Sequence, residues 1–175
     1  VEVVLTKPAR PSELERALRE AGYEQVGLVA TGEMFPVMAA GASAHFTVMT
    51  PFLDPTGAEA LVHLFKRSTV SVERRLILRS GPTGLPDGYL ATVDRMCQLG
   101  VHVFDYRLER DSGGFETFHA KIVLADRKWA YVGSANMNQW SLAYSMELGV
   151  SLKGRAAGRV ARVVDAVLRI AKRLA

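Results

Sequence analysis

His119 and Lys121 stand two residues apart in an apolar run, Phe118 to Leu124. In an extended strand alternate residues share a face, so an imidazole and an ammonium are expected to project together. Gly133, Ser134 and Asn136 follow a second apolar run, Trp129 to Val132, and Glu147 opens a third that reaches Leu152. Loops at strand ends are where α/β sheets build their sites. A nucleophile, a cation, a hydroxyl and an amide converging there suit an anionic centre. Lys121 and Asn136 can hold the non-bridging oxygens of a phosphodiester and stabilise the charge that develops on them. A neutral His119 can attack phosphorus. A carboxylate on its other ring nitrogen would fix the tautomer, and Glu147 is the natural candidate. This chemistry requires no metal, and the Asp, Glu and His residues show no familiar ligand spacing.

The whole set resembles the HKD motif of the phospholipase D superfamily: His-x-Lys, an Asp five residues further on, then Gly-Ser-x-Asn. His119, Lys121, Asp126, Gly133, Ser134 and Asn136 match every defining position. Ser134, Asn136 and Glu147 follow His119 by 15, 17 and 28 residues, a spacing similar to that of the small single-motif bacterial nucleases of the superfamily. The resemblance is specific over residues 119–147. It implies a phosphohistidine intermediate: one motif histidine attacks, and a second, from another motif, protonates the leaving oxygen and later activates water. It implies no cofactor. It assigns Lys121 and Asn136 to phosphate, Ser134 to support of that pocket and Glu147 to orienting His119. Gly133 is structural in the motif. So is Asp126, which falls on the opposite strand face from His119. His45, His63 and His102 lack a Lys two residues on, so they are read as ordinary core or surface residues, and the chain holds one motif, over residues 119–136. It must pair with a second copy about a two-fold axis, or with a motif-bearing partner; the absence of an initiator Met leaves the latter open. Soluble members with one motif are often nucleases, including components of restriction and anti-phage defence systems.

The elements that position these residues alternate. Residues 1–6 read as a strand, and Ser12 caps a helix to about Ala21, closed by Gly22. Val26–Ala30 reads as a short strand, and residues 33–40 as a short helix broken by Pro36. A strand over 45–50 leads to a helix opened by Asp54-Pro55, with Ala60, Leu61, Leu64 and Phe65 on one face. A strand over 75–79, a helix over 87–99 and a strand over 101–106 follow. Asp111–Gly114 reads as a flexible tip before a hairpin whose arms are Phe118–Leu124 and Trp129–Val132. Residues 153–175 read as a basic amphipathic helix, with Val160, Val163, Val164, Val167, Ala171 and Leu174 inward. This rhythm predicts an α/β fold in which a mixed, mostly parallel sheet lies between helices, as one phospholipase D-like domain over residues 1–175.

Composition sets the outer limits. The chain has 175 residues, 49% hydrophobic and 23% charged, which excludes global disorder. One cysteine, Cys97, excludes a disulfide framework and a Cys-based zinc site, and fits a reducing, cytoplasmic setting. No apolar run reaches the length of a membrane span, and Val1–Pro8 lacks the basic start and apolar length of a signal peptide. From Lys153 onward there are seven basic residues and one acid, a local +6 against a total of +4, so the remainder carries −2. The basic helix could track a nucleic-acid backbone, lie on an anionic bilayer or be a solvated face. Nucleic acid is the expected partner. Two rivals remain: a phospholipase or phosphatidyl transferase using the same phosphate chemistry, and a module that docks nucleic acid without cleaving it.

Overall fold

Runs rich in Val, Ile, Leu and aromatic residues become strands, and the amphipathic stretches between them become helices. The computed structural model describes residues 1–23 and 28–175. In chain order these are β1 (Glu2–Thr6), α1 (Glu13–Glu20), α2 (Thr31–Gly41), β2 (His45–Met49), α3 (Pro55–Arg67), β3 (Glu73–Leu78), α4 (Asp87–Gln98) and β4 (Val101–Asp105). There follow β5 (Leu108–Glu109), β6 (Phe115–Glu116), β7 (Lys121–Ala125), β8 (Trp129–Gly133), β9 (Glu147–Lys153), α5 (Arg155–Ile170) and β10 (Lys172–Arg173). A single π-helical turn, Trp140–Tyr144, lies between β8 and β9.

Eight strands form one sheet in the order β1-β9-β8-β7-β2-β3-β4-β10. The α/β class and the mixed sheet are as expected, but the balance of directions is not. Only β2·β3 and β3·β4 are parallel; the other five pairings are antiparallel. A tight turn forces β7 and β8 antiparallel, and the remaining antiparallel pairs follow from how the β7–β8–β9 meander docks beside β2 and how β1 and β10 close the sheet edges.

Strand alternation splits the core in two. Phe46, Val48, Leu76, Leu78, Val123 and Tyr131 face Met34, Met38, Leu61, Phe65 and Met96 of α2, α3 and α4. Met49, Ile77, Ile122, Leu124 and Ala130 face Ala157, Ala161, Val164 and Val167 of α5. The sheet therefore lies between helices on both faces, and the central strands are apolar on both sides.

Several expected boundaries move. Pro36 lies inside α2, which runs unbroken over Thr31–Gly41. The expected strand over Val26–Ala30 lies partly outside the described residues; of it, Val29 bridges Val4. The C-terminal helix ends at Ile170, and Lys172–Arg173 pairs antiparallel with Asp105 and Phe104 instead. Val163, expected inward, is exposed. Its position falls outside the narrow stripe set by Ala157, Ala161, Val164 and Val167. The small hairpin β5–β6 was not foreseen; it encloses the Asp111–Gly114 tip.

Candidate active site

The sheet register gathers the site at one end. Met49, the last residue of β2, pairs with Ile122 near the start of β7; Lys121 pairs with Gly133 at the end of β8, and Gly133 with Gly149 near the start of β9. The loops after the parallel strands β2 and β3 emerge at this same end, the customary place for ligands in such sheets.

His119 precedes β7 rather than lying within it, yet Lys121 Nζ sits 3.0 Å from its Nδ1 and 3.3 Å from its Nε2. His119 is exposed while Lys121 is buried. Burial pushes the Lys121 ammonium below its usual range. Glu147 opposes that shift and Arg79 adds to it. Among the described residues, Lys121 is the hydrogen-bond partner found for the His119 ring.

Ser134 and Glu147 form the adjacent wall. The Ser134 hydroxyl donates to Glu147 Oε2 and accepts from Leu148 N at 3.1 Å, while Ser134 N donates to Leu148 O at 3.1 Å. The buried Glu147 carboxylate thus meets Ser134 and the field of Lys121, and does not hydrogen-bond His119 within one chain. Asn136 donates its backbone N–H to Ser141 Oγ at 3.1 Å, and its Oδ1 is buried without a hydrogen-bond partner.

The loop carrying Ser134 and Asn136 is fastened to the segment between β2 and α3. Met137 N donates to Thr50 Oγ1 at 3.2 Å, and Gln139 N to Asp54 Oδ2 at 2.7 Å. Asp54 Oδ1 meanwhile caps α3 by accepting from Gly57 N at 2.8 Å. The approach is close: a Cβ on Gly57 would fall 1.8 Å from Met137 O. Gly133 is constrained similarly, since a Cβ there would fall 2.2 Å from Tyr131 Oη and 2.7 Å from Gly149 Cα.

Asp126 lies at the far end of β7 from His119, in the turn to β8, with φ of 56°. Burial alone would raise its carboxyl, but N–H groups of His45, Ala44 and Ser43 and the Ser43 hydroxyl hold it below the ordinary carboxylate range. It ties the loop entering β2 to the β7–β8 turn.

Two residues that sequence reasoning missed complete the mouth. The Arg79 guanidinium lies 4.7 Å from the centre of the Phe52 ring, and that ring meets the His119 ring edge-on at 5.8 Å. Arg79 also donates to Phe118 O at 3.4 Å. Their positions after β3 and β2 were the available signal. Among the described residues no three His, Cys, Asp or Glu side chains converge as ion ligands.

An imidazole, two cations, an amide and a hydroxyl thus gather at one sheet end. A family model described as cardiolipin synthase, PLD-like domain, matches residues 38–170. The chain belongs to this phospholipase D-like domain family, whose membership supports phosphodiester chemistry. Nuc from Salmonella typhimurium, a phospholipase D family member, shares the fold with a TM-score of 0.62 at 15% identity, over 99% of each chain. NucT from Helicobacter pylori gives a TM-score of 0.60 at 12% identity, over 99% of this chain and 100% of that one. The phosphatidylserine synthase of Haemophilus influenzae Rd KW20 gives 0.56 at 16% identity, over 98% of this chain but 39% of its own. At such identities the likeness is one of fold. No curated protein sequence matches the chain. No helix among the described residues is long and apolar enough to cross a membrane.

Proposed function

We propose that the protein is a metal-independent phosphodiesterase acting on nucleic acid. The carrying observation is the buried Lys121 ammonium held 3.0 Å from the exposed His119 ring, beside Arg79. Lys121, Arg79 and the Asn136 amide hold the non-bridging oxygens. A neutral His119 nitrogen attacks phosphorus, a P–N bond forms and the P–O bond to the leaving oxygen breaks. A second imidazole, the His119 of another copy, gives that oxygen its proton. It then takes one from water, whose oxygen displaces His119 and restores the enzyme. Glu147 is a positioning residue acting through Ser134. Gly133 and Asp126 hold the frame.

Pairing of two chains follows from the need for that second imidazole. The exposed Trp140, Tyr144, Met146 and Leu148 border Glu147 and Ser134, and we assign this apolar surface to the second copy. The free Cys97 suits a reducing cytoplasm.

The test is hydrolysis of bis(p-nitrophenyl) phosphate and of single-stranded DNA in excess chelator, with His119→Ala as control. Turnover by the wild type alone supports the reading. DNA binding that survives in His119→Ala, with no turnover by the wild type, makes the protein a docking module. Turnover of phosphatidyl vesicles in place of DNA moves the substrate to lipid.

A further inference from the structure

At the opposite end of the sheet from His119, Arg127 from the β7–β8 turn and Arg155, Gly158, Arg159 and Arg162 from α5 line one surface concavity of about 490 Å³. Spacings of four and three residues put the three α5 arginines on one helix face. Gly154 N donates to Lys128 O at 3.0 Å, which fixes the start of α5 against that turn.

Three of the four arginines make no ion pair among the described residues that would account for their clustering. Arg127 pairs with Asp165. Arg155, Arg159 and Arg162 are exposed and have no ion-pair partner among the described residues. Arg155 is the first residue of α5, and the first turn carries no acid. The positive end of the helix dipole repels a cation at Arg155. Four guanidiniums around one hollow also repel each other. A bound anion reverses both penalties.

We propose that these four arginines form a second phosphate-binding site, which takes the backbone of a nucleic-acid strand at a distance from the reacting phosphodiester. The choice of nucleic acid rests on the nuclease reading and on the lining itself. A bilayer-seeking helix needs apolar side chains to insert, but this hollow is lined by arginines and a glycine, and the stripe Ala157, Ala161, Val164 and Val167 of α5 packs on the sheet. Planar guanidiniums match phosphate oxygens in pairs. The five residues of β7 put about 17 Å between the two sites, so only a strand of several nucleotides can occupy both.

The test compares His119→Ala, which holds DNA uncut, with the same chain carrying Arg155→Gln, Arg159→Gln and Arg162→Gln. The probe is a fluorescein-labelled single strand long enough to span β7. Affinity should fall at least about tenfold, and the slope of log affinity against log salt should shrink by about two. With His119 restored, the three substitutions should leave bis(p-nitrophenyl) phosphate hydrolysis unchanged. Because these three side chains are exposed and lie outside the core, the variant should fold; the double variant Arg155→Gln, Arg159→Gln gives the same readout with a smaller change. Unchanged DNA affinity and slope overturn the proposal, as does selective loss of binding to phosphatidylglycerol vesicles. A wild type that hydrolyses no diester while its DNA affinity still depends on the arginines removes the catalytic reading and leaves this site standing.

Discussion

Lys121 Nζ lies within hydrogen-bond distance of both ring nitrogens of His119, at 3.0 and 3.3 Å. In the mechanism proposed above, this buried ammonium contacts the His119 ring and meets the phosphoryl oxygens that arrive with the substrate. Lys121→Gln keeps polar reach and removes the charge. It should lower kcat/KM for bis(p-nitrophenyl) phosphate by about 10²–10³, measured by steady-state kinetics.

The same lysine makes a stability prediction. Its folded value is lowered by burial. The unfolded chain therefore holds the proton more tightly, and the fold is penalised while the ammonium persists. Stability should be regained as pH rises through the folded value towards the unfolded value of about 10.4. Urea unfolding of wild type and Lys121→Gln across that range should show the wild type gaining relative to the variant. A constant gap would refute the burial effect.

Gly133→Ala should cost about 1–3 kcal/mol, because the new methyl meets Tyr131 Oη at 2.2 Å. Tyr131→Leu removes the obstructing ring tip. In a double-mutant cycle by urea denaturation, the paired change should cost less than the two singles together.

Asp126→Asn separates frame from chemistry. The carboxylate accepts from Ser43, Ala44 and His45, and losing its charge should cost about 1–3 kcal/mol. Its folded value is depressed, so this contribution is present above the unfolded carboxyl value near 3.9 and is lost as pH falls through the folded one. Below its reduced melting temperature the variant should keep wild-type kcat, measured on the small diester.

Arg79→Met should raise KM for phosphodiesters more than it lowers kcat, about tenfold in kcat/KM, since it removes a cation at the mouth but not the nucleophile. Phe52→Ala should show part of this effect, because the Phe52 ring lies between Arg79 and His119.

What could be read from the chain beforehand was set by sequence distance. His119 to Glu147 lie within one hairpin and its neighbour, so alternation and residue type located them together. Arg79 and Phe52 reach the same place only through the β2·β7 register, which pairs Met49 with Ile122, and no local pattern encodes that pairing. The α/β rhythm was legible for the same local reasons. The excess of antiparallel pairs was not, because strand direction depends on how the β7–β8–β9 meander docks beside β2. Lys172–Arg173 reads as helix by periodicity, and pairing with β4 overrides it. Glu147 was expected on the imidazole, but its hydrogen-bond partner is the Ser134 hydroxyl.

The short strand Lys172–Arg173 borders the sheet beyond β4, and both of its residues are exposed. Two adjacent cations on so brief a border act as gatekeepers against lateral recruitment of a foreign strand. Sideways continuation of the sheet is thereby discouraged on that flank, which keeps the parallel block insulated from fibril-like stacking.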